Sequence, residues 1–267
     1  MIPSPFDYEV AESVDHAVEL LGRDDAKLLA GGHSLLPAMR LRIARPGLLV
    51  DLGRLGELSY VREANGGVAI GALTRHHDLV ADALLHERCP VVAQAASLVG
   101  DPQVRHRGTI GGSVAHGDPA SDLPTVLVAL DARLVVRGPD GERTVTAGEF
   151  FRGVFETALS PRDVLTEIRV PAATGTYVKF TRRAQDWATV GVAVARVSGE
   201  VRVGLTSMGP TPHRAQAVEE ALAAGASLVE AAEHAAEGTD PPSDTNGSAD
   251  YRRQLARVLV RRALEAA

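Results

Sequence analysis

Lys27-Leu28-Leu29-Ala30-Gly31-Gly32-His33-Ser34-Leu35-Leu36-Pro37 is a short apolar run that meets two consecutive glycines, and Thr109-Ile110-Gly111-Gly112-Ser113 repeats the punctuation far downstream. Glycine admits positive φ and lets a ligand approach main-chain N–H groups with no Cβ in the way. Consecutive N–H groups in such a turn make an anion-binding nest. Ser34 and Ser113 add hydroxyl donors, and neither segment carries the lysine of a P-loop. A neutral cradle of this kind suits the diphosphate of a dinucleotide better than a triphosphate being cleaved. Taken singly, either glycine pair also reads as an ordinary turn.

The flanking sequence supplies the context. Phe6–Val10 reads as an extended entry, Ser13–Leu21 as a helix with Ala17, Val18, Leu20 and Leu21 at helical spacing, and Lys27–Ala30 as a strand. Ser34–Arg42 follows as a short helix and Gly47–Leu52 as a buried strand. This is a small β-α-β unit with its glycines at the carboxyl end of a strand, where α/β folds place ligands. From 53 to about 170 short strands and helices alternate. Gly67–Ala72 reads as a strand, Thr74–Leu84 and Pro90–Leu98 as helices, Thr125–Leu130 as an apolar helix, and Arg133–Val145 as a hairpin turning at Gly138-Pro139-Asp140-Gly141. Beyond Pro171, three strand-like runs (176–181, 190–197 and 200–207) precede alanine-rich helices, predicting an antiparallel meander with helices on one face.

Composition narrows the function classes. A hydrophobic content of 45% and charged content of 23% are those of an ordinary globular protein. No apolar run is long enough for a membrane span, and the N-terminus lacks the basic start and apolar core of a signal peptide, so the expected location is cytoplasmic. A net charge of −6 with scattered arginines gives no reason to expect nucleic acid. Cys89 is the only cysteine, so the chain alone builds no disulfide, iron–sulfur cluster or cysteine-rich zinc site. The nine histidines fall in no HExxH or carboxylate-paired spacing, and no metal site is expected.

The two glycine segments, with Asp118-Pro119-Ala120-Ser121-Asp122-Leu123-Pro124 just after the second, resemble the FAD-binding signatures of the molybdenum hydroxylase flavoproteins. The resemblance is to the medium subunit of aerobic carbon monoxide dehydrogenases and the FAD domain of xanthine dehydrogenases. Ser207–Ala215 and Ser248–Arg253 also resemble that family's C-terminal domain, so the likeness covers nearly the whole chain. It implies an α+β protein: a two-part FAD-binding α/β region of the PCMH (vanillyl-alcohol-oxidase-like) type over 1–171, with subdomains of about 1–52 and 53–171, then a C-terminal domain over 172–267 with a three-stranded antiparallel sheet and helices.

The resemblance further implies that Ala30, Gly31, Gly32, His33, Ser34 and Leu35, together with Thr109, Ile110, Gly111, Gly112 and Ser113, hold the pyrophosphate of a non-covalent FAD. Asp122 would accept a hydrogen bond from a ribose or ribityl hydroxyl; its residue type serves equally as an N-cap for the helix that follows. Lys179 and Trp187 would approach the flavin, Trp187 standing where tyrosine is familiar; an indole can stack but not accept a hydrogen bond, and a lone tryptophan also reads as a core or interface residue. No catalytic residue is assigned: His33 and His116 are expected to bond neighbouring backbone rather than move protons. The implied activity is electron transfer from the [2Fe–2S] clusters of a small subunit, fed by a molybdenum cofactor in a large subunit, through FAD to a terminal acceptor, within a hetero-oligomer. Two other readings stay open at this point: a free-standing flavoenzyme, and a non-redox nucleotide-binding scaffold.

Overall fold

The computed structural model describes residues 2–267. The chain opens with β1 (Asp7–Val10), α1 (Val14–Leu20), β2 (Ala26–Leu29), α2 (Leu35–Arg40) and β3 (Leu48–Asp51). The strands form a parallel sheet in the order β1-β3-β2, so both glycines after β2 emerge at the carboxyl edge, as the sequence pattern predicts. Ser13 caps α1, its hydroxyl accepting from the His16 N–H. The apolar stripe Ala17, Val18, Leu20 and Leu21 then packs on Leu48 and Val50, and Val164 closes the same core from the next unit.

That unit contains β4 (Val61–Ala64), β5 (Gly67–Gly71), α3 (His76–Ala81), α4 (Ala83–Arg88), α5 (Pro90–Ser97), α6 (Pro102–Arg105), α7 (Ile110–His116), α8 (Asp122–Ala129), β6 (Arg133–Gly138), β7 (Gly141–Thr146), α9 (Ala147–Phe150), β8 (Phe151–Gly153), β9 (Glu156–Thr157) and β10 (Val164–Pro171). Its main sheet runs β4-β5-β10-β6-β7, antiparallel throughout, and β8 pairs with β9 as a separate ribbon. The hairpin at Gly138–Gly141 forms where expected. The helix anticipated over Thr74–Leu84 is instead two, broken at Asp82. That residue takes extended backbone, φ −75° and ψ 120°, and its carboxylate accepts from the Leu85 N–H. Aspartate competes with helix continuation by capping, and here the cap wins.

The remainder comprises β11 (Thr174–Phe180), β12 (Val190–Val197), β13 (Glu200–Thr206), β14 (His213–Arg214), α10 (Gln216–Ala223), α11 (Leu228–Glu233) and α12 (Ala249–Ala266). The sheet order is β11-β12-β13-β14, antiparallel, so a two-residue fourth strand joins the three long ones. Helices were expected on one face, yet both are covered. Along β12, Val190, Val192 and Val194 enter the core beneath α10–α12, whereas Ala193, Ala195 and Val197 enter the core that α5, α8 and the preceding sheet share. The period-2 alternation of strand side chains thus serves two cores rather than one core and solvent. Arg252 of α12, almost fully buried, pairs with Asp244 at 2.7 Å and donates to the Thr189 carbonyl, tying the breaker-rich loop before α12 to the sheet.

Candidate dinucleotide site

Folding brings the two glycine segments together. A Cβ on Gly31 would be driven into the Arg107 carbonyl oxygen and would lie 2.8 Å from the Cα of Gly108. Only a residue without a side chain lets the first loop reach the approach to the second. On the other side, a Cβ on Gly112 would come 4.0 Å from the Ala30 Cβ. The start of α7 is pinned to the end of β5 and the start of α3: Gly111 N donates to Ala72 O at 2.9 Å, Ile110 N to Thr74 O at 3.0 Å, and His76 N to Gly108 O at 3.0 Å.

The two segments differ in kind, and the shared Gly-Gly punctuation concealed it. Gly32 has φ +78° and leads into α2, and the N–H groups of Gly32, His33 and Ser34 meet no acceptor among the described residues. Ser34 makes no capping bond with its hydroxyl, and both His33 and Ser34 are exposed. This half is an open nest. Gly111 and Gly112, in contrast, are not at positive φ but in the first turn of α7, capped by Thr109, whose Oγ1 accepts from Gly112 N at 3.1 Å. Their amides are already bonded, and their lack of side chains serves close packing: a Cβ on Gly111 would lie 2.6 Å from Ala72. What the second half can offer is the hydroxyl of half-buried Ser113, which sits 3.1 Å from His76 Nε2. Neither segment carries a carboxylate, so the donor set fits a diphosphate.

The start of α8 holds a buried ionic network that sequence reading did not assemble. Ser121, not Asp122, occupies the N-cap position of α8, and Asp122 is the first helical residue. Its carboxylate, in a residue 6% exposed, accepts from Tyr177 Oη at 2.6 Å and from Lys179 Nζ at 3.1 Å. Lys179 Nζ also donates to Leu98 O at 2.7 Å and Asp186 O at 3.4 Å, so its three protons are committed. Tyr177 further contacts Thr206, which donates to Thr125 at 2.8 Å. Burial pushes the Asp122 carboxyl above its ordinary value against the pull of Lys179 and Tyr177, and burial with the neighbouring carboxylate pushes the Tyr177 phenol well up. The alternative reading of Asp122 as the N-cap therefore fails by one residue, Ser121 makes no side-chain capping bond, and the partners of Asp122, some fifty residues away, were not legible in the sequence.

Trp187 follows the loop anchored by Lys179 and is 54% exposed, which removes the core reading and leaves a face free for stacking. His116 packs its ring 4.9 Å from Phe155, and burial lowers its pKa. His77 and His106 stack at 3.9 Å, another pairing invisible in the sequence. Cys89 is buried beside α5, and burial drives its thiol up to about 12. Among the described residues no group of three or more His, Cys, Asp or Glu is placed to hold a metal ion, and no helix is long and apolar enough to cross a membrane.

A glycine-walled cradle on an α+β scaffold, followed by an antiparallel sheet clad with helices, fits a dinucleotide-binding protein. The chain belongs to the family described as the FAD binding domain in molybdopterin dehydrogenase, matched over residues 4–173, and carries the CO dehydrogenase flavoprotein C-terminal domain over 175–267. It is 46% identical to the carbon monoxide dehydrogenase medium chain of Hydrogenophaga pseudoflava, over 100% of this chain and 98% of that one. The glyceraldehyde dehydrogenase medium chain of Sulfolobus acidocaldarius is 38% identical over 99% of both. Among solved structures, the carbon monoxide dehydrogenase of H. pseudoflava that lacks the Mo-pyranopterin moiety of its molybdenum cofactor superposes with a TM-score of 0.96, covering 100% of this chain and 98% of the other.

Proposed function

We propose that this chain is the FAD-carrying medium subunit of a cytoplasmic, molybdenum-containing dehydrogenase, relaying electrons from the [2Fe–2S] clusters of a small subunit to a terminal acceptor. The observation that carries the reading is the wedge of Gly31 against Arg107 and Gly108, which joins two distant donor segments into one cradle. In this reading the amides of Gly32, His33 and Ser34, and the hydroxyls of Ser34 and Ser113, hold the diphosphate, with Ala30, Leu35, Thr109, Ile110, Gly111 and Gly112 shaping the walls. Asp122 and Lys179 act together as a buried strut that fixes the loop bearing Trp187, whose exposed indole is offered to the isoalloxazine plane.

When bound, the flavin supplies the exchange between one-electron and two-electron carriers. This chain's residues bind and orient it and keep charge of the wrong sign away from its phosphates. Cys89 is the only cysteine in this sequence and is buried as a thiol, so the thiolate ligands of any cluster come from outside these residues, in this reading from the small subunit. Substrate choice belongs to the large subunit in this reading, which the differing substrates in the names of the two medium-chain relatives support.

The test is to purify the chain with its partner subunits, record the visible spectrum and identify the cofactor released by denaturation. FAD released intact supports the assignment. A complex that shows only cluster absorption, releases no FAD and takes up none when it is added overturns it in favour of a scaffold, and turnover of a small molecule by the isolated flavin-loaded chain favours the free-standing enzyme.

A further inference from the structure

Among the described residues, His76 is the buried side chain against the glycine segments that keeps a polar atom without a partner. It opens α3, is 2% exposed, and its ring Nδ1 has no hydrogen-bond partner among the described residues, while Nε2 lies 3.1 Å from Ser113 Oγ. The ring is held in place: its backbone N–H bonds Gly108 O, and a Cβ on Gly108 would come 2.9 Å from His76 Cδ2. A buried polar atom without a partner calls for an explanation.

We infer that His76 sets the direction of the Ser113 hydroxyl and is thereby a positioning residue for the diphosphate of the bound dinucleotide. The inference rests on the proposed FAD reading and adds a residue that the glycine segments do not contain. Burial, with Arg105 and His33 close by, lowers the His76 pKa to about 4, so the ring is neutral near neutral pH and carries one N–H and one lone pair. If the proton were on Nδ1, a buried N–H would have no acceptor, the costlier kind of orphan. With the proton on Nε2, the N–H donates to Ser113 Oγ and only a lone pair is left unpaired. Ser113 Oγ then accepts from the ring, and its own proton must point elsewhere. It makes no bond back to an α7 carbonyl among the described residues, which is the usual competitor for a helical serine hydroxyl. The proton is free for a phosphate oxygen. His76 thus converts a rotor with several settings into a fixed donor, which is what preorganisation of a site requires.

The experiment uses the full chain, assembled with its partner subunits for the binding measurements. In the cofactor-free chain labelled with 15N-histidine, a long-range 1H–15N spectrum near neutral pH should show His76 protonated on Nε2 alone; the Nδ1–H tautomer or an imidazolium overturns the inference. In FAD titrations, Ser113→Ala should weaken binding about tenfold, the worth of one charge-assisted hydrogen bond. His76→Leu should weaken it comparably, and the double variant no more than Ser113→Ala alone. His76→Gln, whose amide N–H can take the place of Nε2–H, should restore most of the affinity and serves in place of the leucine variant should that fail to fold. Additive losses, or a His76→Leu protein that binds FAD like the wild type, overturn the positioning role while leaving the FAD reading intact. A wild-type assembly that takes up no FAD overturns both.

Discussion

Replacing Lys179 with methionine isolates the energetic worth of the buried strut. Methionine keeps the length and apolar body of the side chain, so the principal loss is the charge facing Asp122 at 3.1 Å, where both side chains are less than a tenth exposed. At an effective dielectric constant of about 20, a pair at that separation interacts by roughly 5 kcal/mol. Removing one partner of a buried pair typically costs about 3–5 kcal/mol because the survivor stays desolvated. The bonds to Leu98 O and Asp186 O are lost as well, which places the expectation toward the upper part of that range. Asp122 has an escape: burial already raises its pKa, and without the lysine it should rise further, so the carboxyl can protonate. The sign follows from linkage. A carboxyl whose folded pKa lies above its unfolded value makes the fold more stable as pH falls, so the deficit of Lys179→Met should narrow on acidification. Urea unfolding at about pH 7 and about pH 5 measures both effects, and adding Asp122→Asn should recover part of the loss at the higher pH. A deficit below about 1 kcal/mol, or one that does not change with pH, would show that the pair is not the desolvated strut described.

Gly31→Ala should abolish FAD uptake while costing about 1–3 kcal/mol of stability, as overpacking does, because the new methyl meets the Arg107 carbonyl; flavin retention on gel filtration and a urea melt read the two effects separately. The low pKa of His76 makes it a pH-dependent liability. Unfolded, it takes a proton near 6.5, but folded only near 4, so stability should fall as pH drops through that window, by roughly 3 kcal/mol at most. Comparison of urea midpoints with His76→Gln should show the excess loss, and parallel pH curves would contradict it. Trp187→Ala should leave the unfolding free energy within about 0.5 kcal/mol, since the indole is exposed, while shifting the bound flavin's absorption envelope; an unshifted spectrum would remove Trp187 from the flavin face.

The first β-α-β unit was legible because Ala17, Val18, Leu20 and Leu21 fix a helical face and Gly31-Gly32 end a strand, all local signals. The Thr74–Leu84 helix misled because apolar spacing continues across Asp82 while the capping carboxylate interrupts the backbone. The two glycine pairs look alike in sequence yet use glycine differently, Gly32 for positive φ and Gly111 for close approach, and only the packing partner Ala72 reveals the second use. Asp122 with Lys179 and Ser113 with His76 are pairings of high sequence separation, which a one-dimensional pattern does not encode. The second covered face of the C-terminal sheet was hidden for a related reason: alanine at 193 and 195 gives no hint of being core until α5 and α8 lie against it.

That sheet has a consequence for how such a subunit can be divided. Because Tyr177, Ala193, Ala195 and Val197 are part of the interior of the preceding unit, a chain cut after residue 173 would lose one wall of its own core and turn α5 and α8 into an adhesive surface. Tyr177 and Lys179 would leave with it, stranding the Asp122 carboxylate at the start of α8. The two sequence modules are therefore a single inheritance: recombination between medium chains can exchange whole subunits or helices on the outer face, but a crossover at the module boundary must bring matching residues from both sides.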